Sequence, residues 1–210
     1  IKLIPHAVDN ERLITKNNPA LLNREDVYLK YKLSLNKKIV LYTGKFYEQK
    51  QPLMLMESFI NAKFNDEWLL VFVGDGILKN DMELYIQSKN LNIIKIIGFL
   101  NQNEIVNLYN IAEIFVLPTK LFETWGLSAS EAMQSGCALI VSDIVGCHPE
   151  ILNEEMGLVF DNTNKNELSN VLKSLMSNHE MREKFKQNAL KYSRNNTIQI
   201  TAEKIIETLQ

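Results

Sequence analysis

Cysteine is scarce in this chain of 210 residues. There are two, Cys137 and Cys147, without the paired spacing or the histidine company of a zinc site. This argues against a disulfide-stapled scaffold and for a reduced, intracellular protein. An excess of positive charge is missing too. Lys and Arg number 23 against 25 Asp and Glu, a formal net charge of −2, so no overall basic field invites nucleic acid. Long apolar runs are absent: the longest, "WLLVFVG" and "CALIVS", fall far short of the roughly 20 residues that cross a bilayer. Internal repeats, low-complexity tracts and a secretory leader are not visible, and the abundant Asn and Lys are read as compositional. The chain starts at Ile1 rather than Met, which points to a piece of a larger protein whose targeting information lies elsewhere.

What the sequence does have is 46% hydrophobic residues, ample for the core of one large domain. Six short β-branched runs recur: "KIVLYTG", "WLLVFVG", "NIIKIIG", "EIFVLPT", "CALIVSD" and "MGLVFD". Each is continuous rather than alternating, as expected for strands buried on both faces of a parallel sheet. Helical periodicity lies between them. From Pro52 to about Lys63, Leu53, Met56, Phe59 and Ile60 share a face; Ile105, Leu108 and Tyr109 do so in "NQNEIVNLYNIA". "GLSASEAMQSG" and "NKNELSNVLKSLMSN" follow, the latter turning Leu168, Val171, Leu172 and Leu175 inward. The alternation predicts an α/β, Rossmann-like, doubly wound and mainly parallel sheet of about six strands with helices on both faces.

After about Asn164 only helices are expected. "HEMREKFKQNALKYSR" mixes its charges and reads as a solvated face rather than a membrane-binding helix. The last helix, "IQITAEKIIETLQ", carries an apolar stripe of Ile198, Ile205, Ile206 and Leu209 that needs a partner, either this domain or something absent. The whole of 1–210 is read as a single domain, with 1–36 a linker-like start, its polar "NNPALLNREDVYLKYKLSLNKK" part helix and part connection, and 196–210 the terminal helix.

Ligands of such sheets gather beyond the carboxyl ends of the strands, and the chemistry-bearing residues of this chain fall there. "GKFYEQKQP" supplies Gly44, Lys45 and Lys50, two cations able to neutralise a diphosphate, although two surface lysines have the same spacing. Gly74-Asp75-Gly76 permits close backbone approach but is a commonplace turn. Gly98-Phe99-Leu100 offers an aromatic to flank a base, with core packing of Phe99 the equal alternative. The fourth strand leads into "FETWGLSASEAMQSG", where Glu123 and Glu131 stand eight apart across a helix start. There Gly126 and Leu127 offer free N–H groups to phosphate oxygens, and the two carboxylates accept from hydroxyls on either side. Taken one at a time, each feature also has an ordinary structural explanation.

Their order resembles a family. "IPHAVD", "YTGKFYEQK", "VGDG", "IGFL", "ETWGLSASE", "EAMQSG" and "SDIVGCHPEIL" follow the motif series of the C-terminal, donor-binding domain of GT-B fold retaining glycosyltransferases, most closely family 4 (glycosyl transferases group 1). The most specific match is the Glu–seven residues–Glu motif. The resemblance implies transfer of a sugar from a UDP- or GDP-linked donor, with retention and without an essential metal or cofactor. By analogy Lys45 and Lys50 bind the diphosphate and stabilise the departing charge. Glu123 holds donor-sugar hydroxyls and Glu131 the ribose. Thr124, Trp125, Gly126 and Leu127 line the phosphate and sugar, and Gly44, Gly74, Asp75, Gly76, Gly98, Phe99 and Leu100 complete the donor site. Glu123 is not expected to be a nucleophile.

The resemblance also implies a missing N-terminal acceptor domain, against which the terminal helix stripe would pack. It implies a cytoplasmic place, at the inner face of the membrane if the absent half binds there, and a role in glycan or cell-surface polysaccharide synthesis. The fragment alone is expected to bind donor and not to transfer it. His6 and Ala7 replace the usual Asn and Gly, Cys137-Ala138 stands where proline is common, and Trp125 replaces Phe. Cys147, beside His148, replaces the second glycine of a pair, putting a side chain at a close-approach position. A non-catalytic nucleotide- or partner-binding module stays open as the alternative, and a sugar-nucleotide epimerase as a third reading.

Overall fold

Each of the six apolar runs becomes a strand in the computed structural model, which describes residues 4, 7–9, 13, 22–63, 66–121, 123–148, 152 and 155–209. The strands are β1 (Lys38–Thr43), β2 (Trp68–Val73), β3 (Ile94–Gly98), β4 (Ala112–Leu117), β5 (Ala138–Ser142) and β6 (Gly157–Phe160). They form one all-parallel sheet in the order β3-β2-β1-β4-β5-β6. Successive β1 residues serve opposite faces, Ile39 and Leu41 in one buried cluster, Val40 and Tyr42 in the other. Both faces therefore exclude water, which is why the runs are continuously apolar.

Helices cover both faces. Those described are α1 (Arg24–Lys30), α2 (Pro52–Asn61), α3 (Lys79–Ser88), α4 (Gln102–Ile111), α5 (Leu127–Gln134), α6 (Lys165–Ser177), α7 (His179–Arg194) and α8 (Ile198–Leu209). Val27 and Tyr28 of α1, Leu108 and Tyr109 of α4 and Ala129, Ala132 and Met133 of α5 pack on one face. Leu55, Met56 and Phe59 of α2 and Leu168, Leu172 and Leu175 of α6 pack on the other. Full burial of such an aliphatic or aromatic side chain contributes about 1.5–3 kcal/mol. Four of the asparagines read as compositional have a local role: Asn23, Asn101, Asn164 and Asn178 cap α1, α4, α6 and α7 by accepting from first-turn N–H groups.

Two points differ from the sequence reading, and a third accords with it. Helix α3 was not anticipated; it fully buries only Met82, with Tyr85 and Ile86 partly covered, and has no side-chain N-cap. The start of the chain, expected to be part helix and part connection, holds α1, whose Val27 and Tyr28 are seated in the core. Helix α7 is more than a solvated face, for it buries Arg182, Phe185 and Ala189. The Arg182 guanidinium donates to the carbonyls of Leu175 (2.7 Å) and Met176 (2.9 Å) at the end of α6 and lies 5.0 Å from the Trp68 ring centroid. Ile198, Ile205 and Ile206 of α8 are exposed, so among the described residues this domain does not cover them. His6 and residues 149–151 of the last motif lie outside the described residues.

The strand order reverses between β1 and β4. Connections from β1 wind outward through β2 to β3, and those from β4 through β5 to β6. The loops after β1 and β4 diverge and leave a crevice at their carboxyl ends.

Candidate functional site

A cavity of about 760 Å³ occupies that crevice. Its floor is the end of the sheet, Thr43, Val73 and Leu117, and its walls are the loops after β1, β2, β3 and β4. A smaller cleft of about 290 Å³, lined by Glu123, Thr124, Trp125, Gly126, Leu127 and Ser128, shares Glu123 and Ser128 with it.

The loop after β1 is anchored by aromatic packing. Buried Tyr42 stacks near Phe46 and Phe72, with ring centroids 6.1 and 5.3 Å away, and its hydroxyl donates to the Lys45 carbonyl at 2.9 Å. Burial, reinforced by the charge of Glu123, raises the Tyr42 phenol well above the ordinary tyrosine value, so it remains a neutral donor. With its backbone fixed, Lys45 turns its ammonium toward the Tyr47 ring, 6.0 Å from the centroid. The chain then makes a 3₁₀ turn (Glu48–Lys50), passes through Gln51 in the left-handed region and starts α2 at Pro52. This places Lys50 on the cavity wall.

The loop after β4 ends at Gly126, whose φ of +94° favours glycine. A Cβ there would come within 2.9 Å of Val145 and 3.0 Å of Leu117. No side chain caps α5, and the N–H groups of Leu127 and Ser128 have no hydrogen-bond partner among the described residues. Free N–H groups at a helix N-terminus are suited to receive an anion. The approach loop is tied to the turn after β5: Gly146 N–H donates to the Glu123 carbonyl (3.0 Å) and Cys147 N–H to that of Trp125 (2.9 Å).

The two glutamates are held differently. Glu123 pairs with Lys50 at 2.5 Å, with side chains 17% and 25% exposed respectively. Glu131 accepts at 3.2 Å from Tyr109, whose hydroxyl also lies 2.9 Å from that of Thr43. Burial, with the Glu131 charge adding to it, raises the Tyr109 phenol far above its ordinary value.

Of the residues expected at the site, Gly44, Lys45, Lys50, Gly74, Asp75, Gly76, Phe99, Leu100, Glu123 and Glu131 line the larger cavity. Thr124, Trp125, Gly126 and Leu127 line the smaller one. Gly98 lines neither and instead accepts from Gly74 N–H at 2.9 Å, fixing the loop after β2. Phe99 is 77% exposed at the rim, which settles against core packing. Cys147 does not intrude: its side chain is fully buried in the core and lines neither cavity, while Gly146 keeps the close approach, a Cβ there falling 1.9 Å from the Thr124 carbonyl oxygen. His148 lines neither cavity either.

Sequence reasoning missed Thr43, Tyr47, Ile77 and Ser128 as lining residues, and took Tyr109 for core alone. Thr43, Tyr47 and Ser128 lie inside the quoted motifs and were within reach; nothing local marks Ile77 or the second role of Tyr109. Among the described residues no cluster of three or more His, Cys, Asp or Glu is placed to hold a metal ion, and no helix is long and apolar enough to cross a membrane.

Comparison with known proteins bears on the family and the fold. The UDP-Gal:alpha-D-GlcNAc-diphosphoundecaprenol alpha-1,3-galactosyltransferase of Escherichia coli is 31% identical over 165 residues, 77% of this chain and 41% of that enzyme. The N-acetylgalactosamine-N,N'-diacetylbacillosaminyl-diphospho-undecaprenol 4-alpha-N-acetylgalactosaminyltransferase of Campylobacter jejuni is 25% identical over 162 residues, 75% of this chain and 42% of the enzyme. The chain thus spans less than half the length of these relatives. Among solved structures, Anabaena HepE in complex with UDP superposes with a TM-score of 0.83 at 17% identity, covering 99% of this chain and 57% of that one. The C-terminal domain of a glycosyl transferase group 1 family protein from Francisella tularensis gives 0.78 at 25% identity, covering 91% of this chain and all (100%) of that one. Residues 23–192 match the family of glycosyl transferases group 1, and the chain belongs to that family.

Proposed function

We propose that this domain is the donor-binding half of a retaining glycosyltransferase of family 4, which takes a sugar from a nucleoside-diphosphate sugar. The observation that carries the reading is the single crevice at the sheet's switch point, where Lys45, Lys50, Glu123, Glu131 and the uncapped start of α5 converge. The two ammonium groups and the Leu127 and Ser128 amides bind the diphosphate and stabilise the charge on the departing nucleoside diphosphate, as a divalent cation does elsewhere. Phe99 and Leu100 flank the base, Glu131 receives the ribose hydroxyls and Glu123 those of the sugar. Since Glu123 is engaged by Lys50, it serves as an acceptor and electrostatic partner rather than a nucleophile. Retention then follows a front-face course in which the leaving phosphate helps to deprotonate the acceptor.

The acceptor is bound by an N-terminal half, and α8 offers that half its exposed isoleucine stripe. The Escherichia coli and Campylobacter jejuni relatives, both named for diphosphoundecaprenol-linked sugars, favour an acceptor carried on a polyprenyl diphosphate, and the place proposed for the reaction is the inner face of a membrane. The non-catalytic alternative rests on Cys147, whose side chain is buried and lines neither cavity; the titration below separates the two readings.

Calorimetric titration with UDP, GDP and their sugar conjugates tests the reading. Lys45→Ala and Glu131→Ala should each weaken the preferred nucleotide by roughly tenfold to a hundredfold, the scale of one hydrogen bond to a charged group. Absence of binding to every nucleotide would contradict donor binding, and turnover by this domain alone would contradict its dependence on a second half.

A further inference from the structure

Tyr109 does something that a core tyrosine need not. From α4 it reaches both banks of the crevice: its hydroxyl touches Thr43 at the end of β1 (2.9 Å) and Glu131 on α5 (3.2 Å). It is 1% exposed, its ring packs on Phe115 with centroids 5.9 Å apart, and Thr43 is 4% exposed, so water does not substitute for these partners. The proton count fixes the direction of the chain. An ionised Glu131 has only acceptors, so the single phenolic proton goes to its carboxylate, and the Thr43 hydroxyl must donate to the Tyr109 oxygen. Burial of the phenol keeps that proton in place.

We propose that Tyr109, backed by Thr43, is a positioning residue that aims the Glu131 carboxylate at the sugar of the nucleotide and so gives the site its preference for ribose. The inference rests on the donor-binding reading above. Glu131 stands on the first turns of α5, a helix with no side-chain cap, and a glutamate has three rotatable bonds whose freedom opposes a fixed bidentate grip. The hydroxyl of Tyr109 restrains one carboxylate oxygen relative to β1, on which the lysine loop is also built. The distance between the diphosphate cradle and the ribose acceptor is thereby set by one short relay. A purely structural tyrosine would stabilise the fold and leave ligand selectivity alone.

The test compares UDP with its 2′,3′-dideoxy analogue on the whole domain by calorimetry. The wild-type protein should prefer UDP by roughly tenfold or more, the value of hydroxyl bonds to a carboxylate, and Glu131→Gln should bring the ratio close to one. Tyr109→Phe removes only an oxygen. It should lower the ratio several-fold while leaving affinity for the dideoxy analogue unchanged, and Thr43→Val should act in the same direction to a smaller extent. If Tyr109→Phe does not fold, as judged by thermal unfolding, Thr43→Val carries the same comparison with the ring in place. A ratio unchanged in the variants, or equal losses for both ligands, overturns the inference and leaves nucleotide binding standing. Equal wild-type affinity for the two ligands also overturns it, by removing Glu131 from the ribose. If the wild-type protein binds neither ligand, the donor-binding reading falls and this one with it.

Discussion

Glu123→Gln keeps the shape of the side chain and an acceptor oxygen while deleting one negative charge, so it separates the two tasks assigned to Glu123. Glu123 neutralises Lys50 at 2.5 Å. Side-chain exposures of 17% and 25% put the pair between two regimes. Exposed pairs contribute about 0.2–1 kcal/mol, and one-sided disruption of a fully buried pair costs about 3–5 kcal/mol. A loss of about 1–2 kcal/mol in stability is expected, which for a chain of this size lowers Tm by roughly 2–8 °C. Binding should move the other way for the bare diphosphate. With Gln at 123, Lys50 has no competing carboxylate and the phosphates meet one repulsive charge fewer. UDP should therefore bind more tightly, and a gain of about 1 kcal/mol is roughly fivefold. A UDP-sugar gains the same electrostatic term and loses its hydroxyl acceptor, so the ratio of UDP-sugar to UDP affinity should fall. Lys50→Met should weaken both ligands. Thermal unfolding and paired titrations of UDP and UDP-sugar measure these quantities. If Glu123→Gln weakens UDP as much as UDP-sugar, the pair does not guard the diphosphate site and the reasoning fails.

Arg182→Met deletes two hydrogen bonds to the end of α6 and the cation over Trp68. It should cost about 2–4 kcal/mol in urea unfolding, without altering nucleotide affinity because Arg182 lines neither cavity; a change in affinity with stability intact would contradict this. Burial raises the phenols of Tyr42 and Tyr109 above their ordinary value. Between the unfolded value of about 10 and the higher folded one, the native state holds more protons than the unfolded chain, so stability is full below about pH 10 and falls above it. Tyrosinate absorbance of the folded protein should lag that of the urea-unfolded chain, and coincident curves would refute the burial argument.

The fold was legible because two-sided burial writes itself into short stretches: six apolar runs ending at Gly, Pro, Ser, Thr or Asp became six parallel strands. Helix α3 was not, since an edge helix burying one methionine fully leaves almost no periodic signal. Most site residues were legible as strand-end motifs read in order. Their mutual contacts were not, because Lys50 and Glu123 are 73 residues apart and Thr43 and Tyr109 66 apart. Only the β1–β4 adjacency in the sheet brings them together. Arg182 shows the limit of reading charge as exposure. Its helix looks solvated, yet the guanidinium is drawn inward by two carbonyls and a tryptophan face. Cys147 shows the converse, since a residue that breaks a glycine pattern enters neither cavity when its side chain turns into the core.

The claim on which the rest depends is that a diphosphate lies between the ammonium groups of Lys45 and Lys50 and the N–H groups at the start of α5. A crystal structure of this domain soaked with UDP measures it directly. The account predicts both phosphates in that gap, with the ribose beside Glu131 and the base at Phe99. Phosphates seated anywhere else on the domain would contradict it.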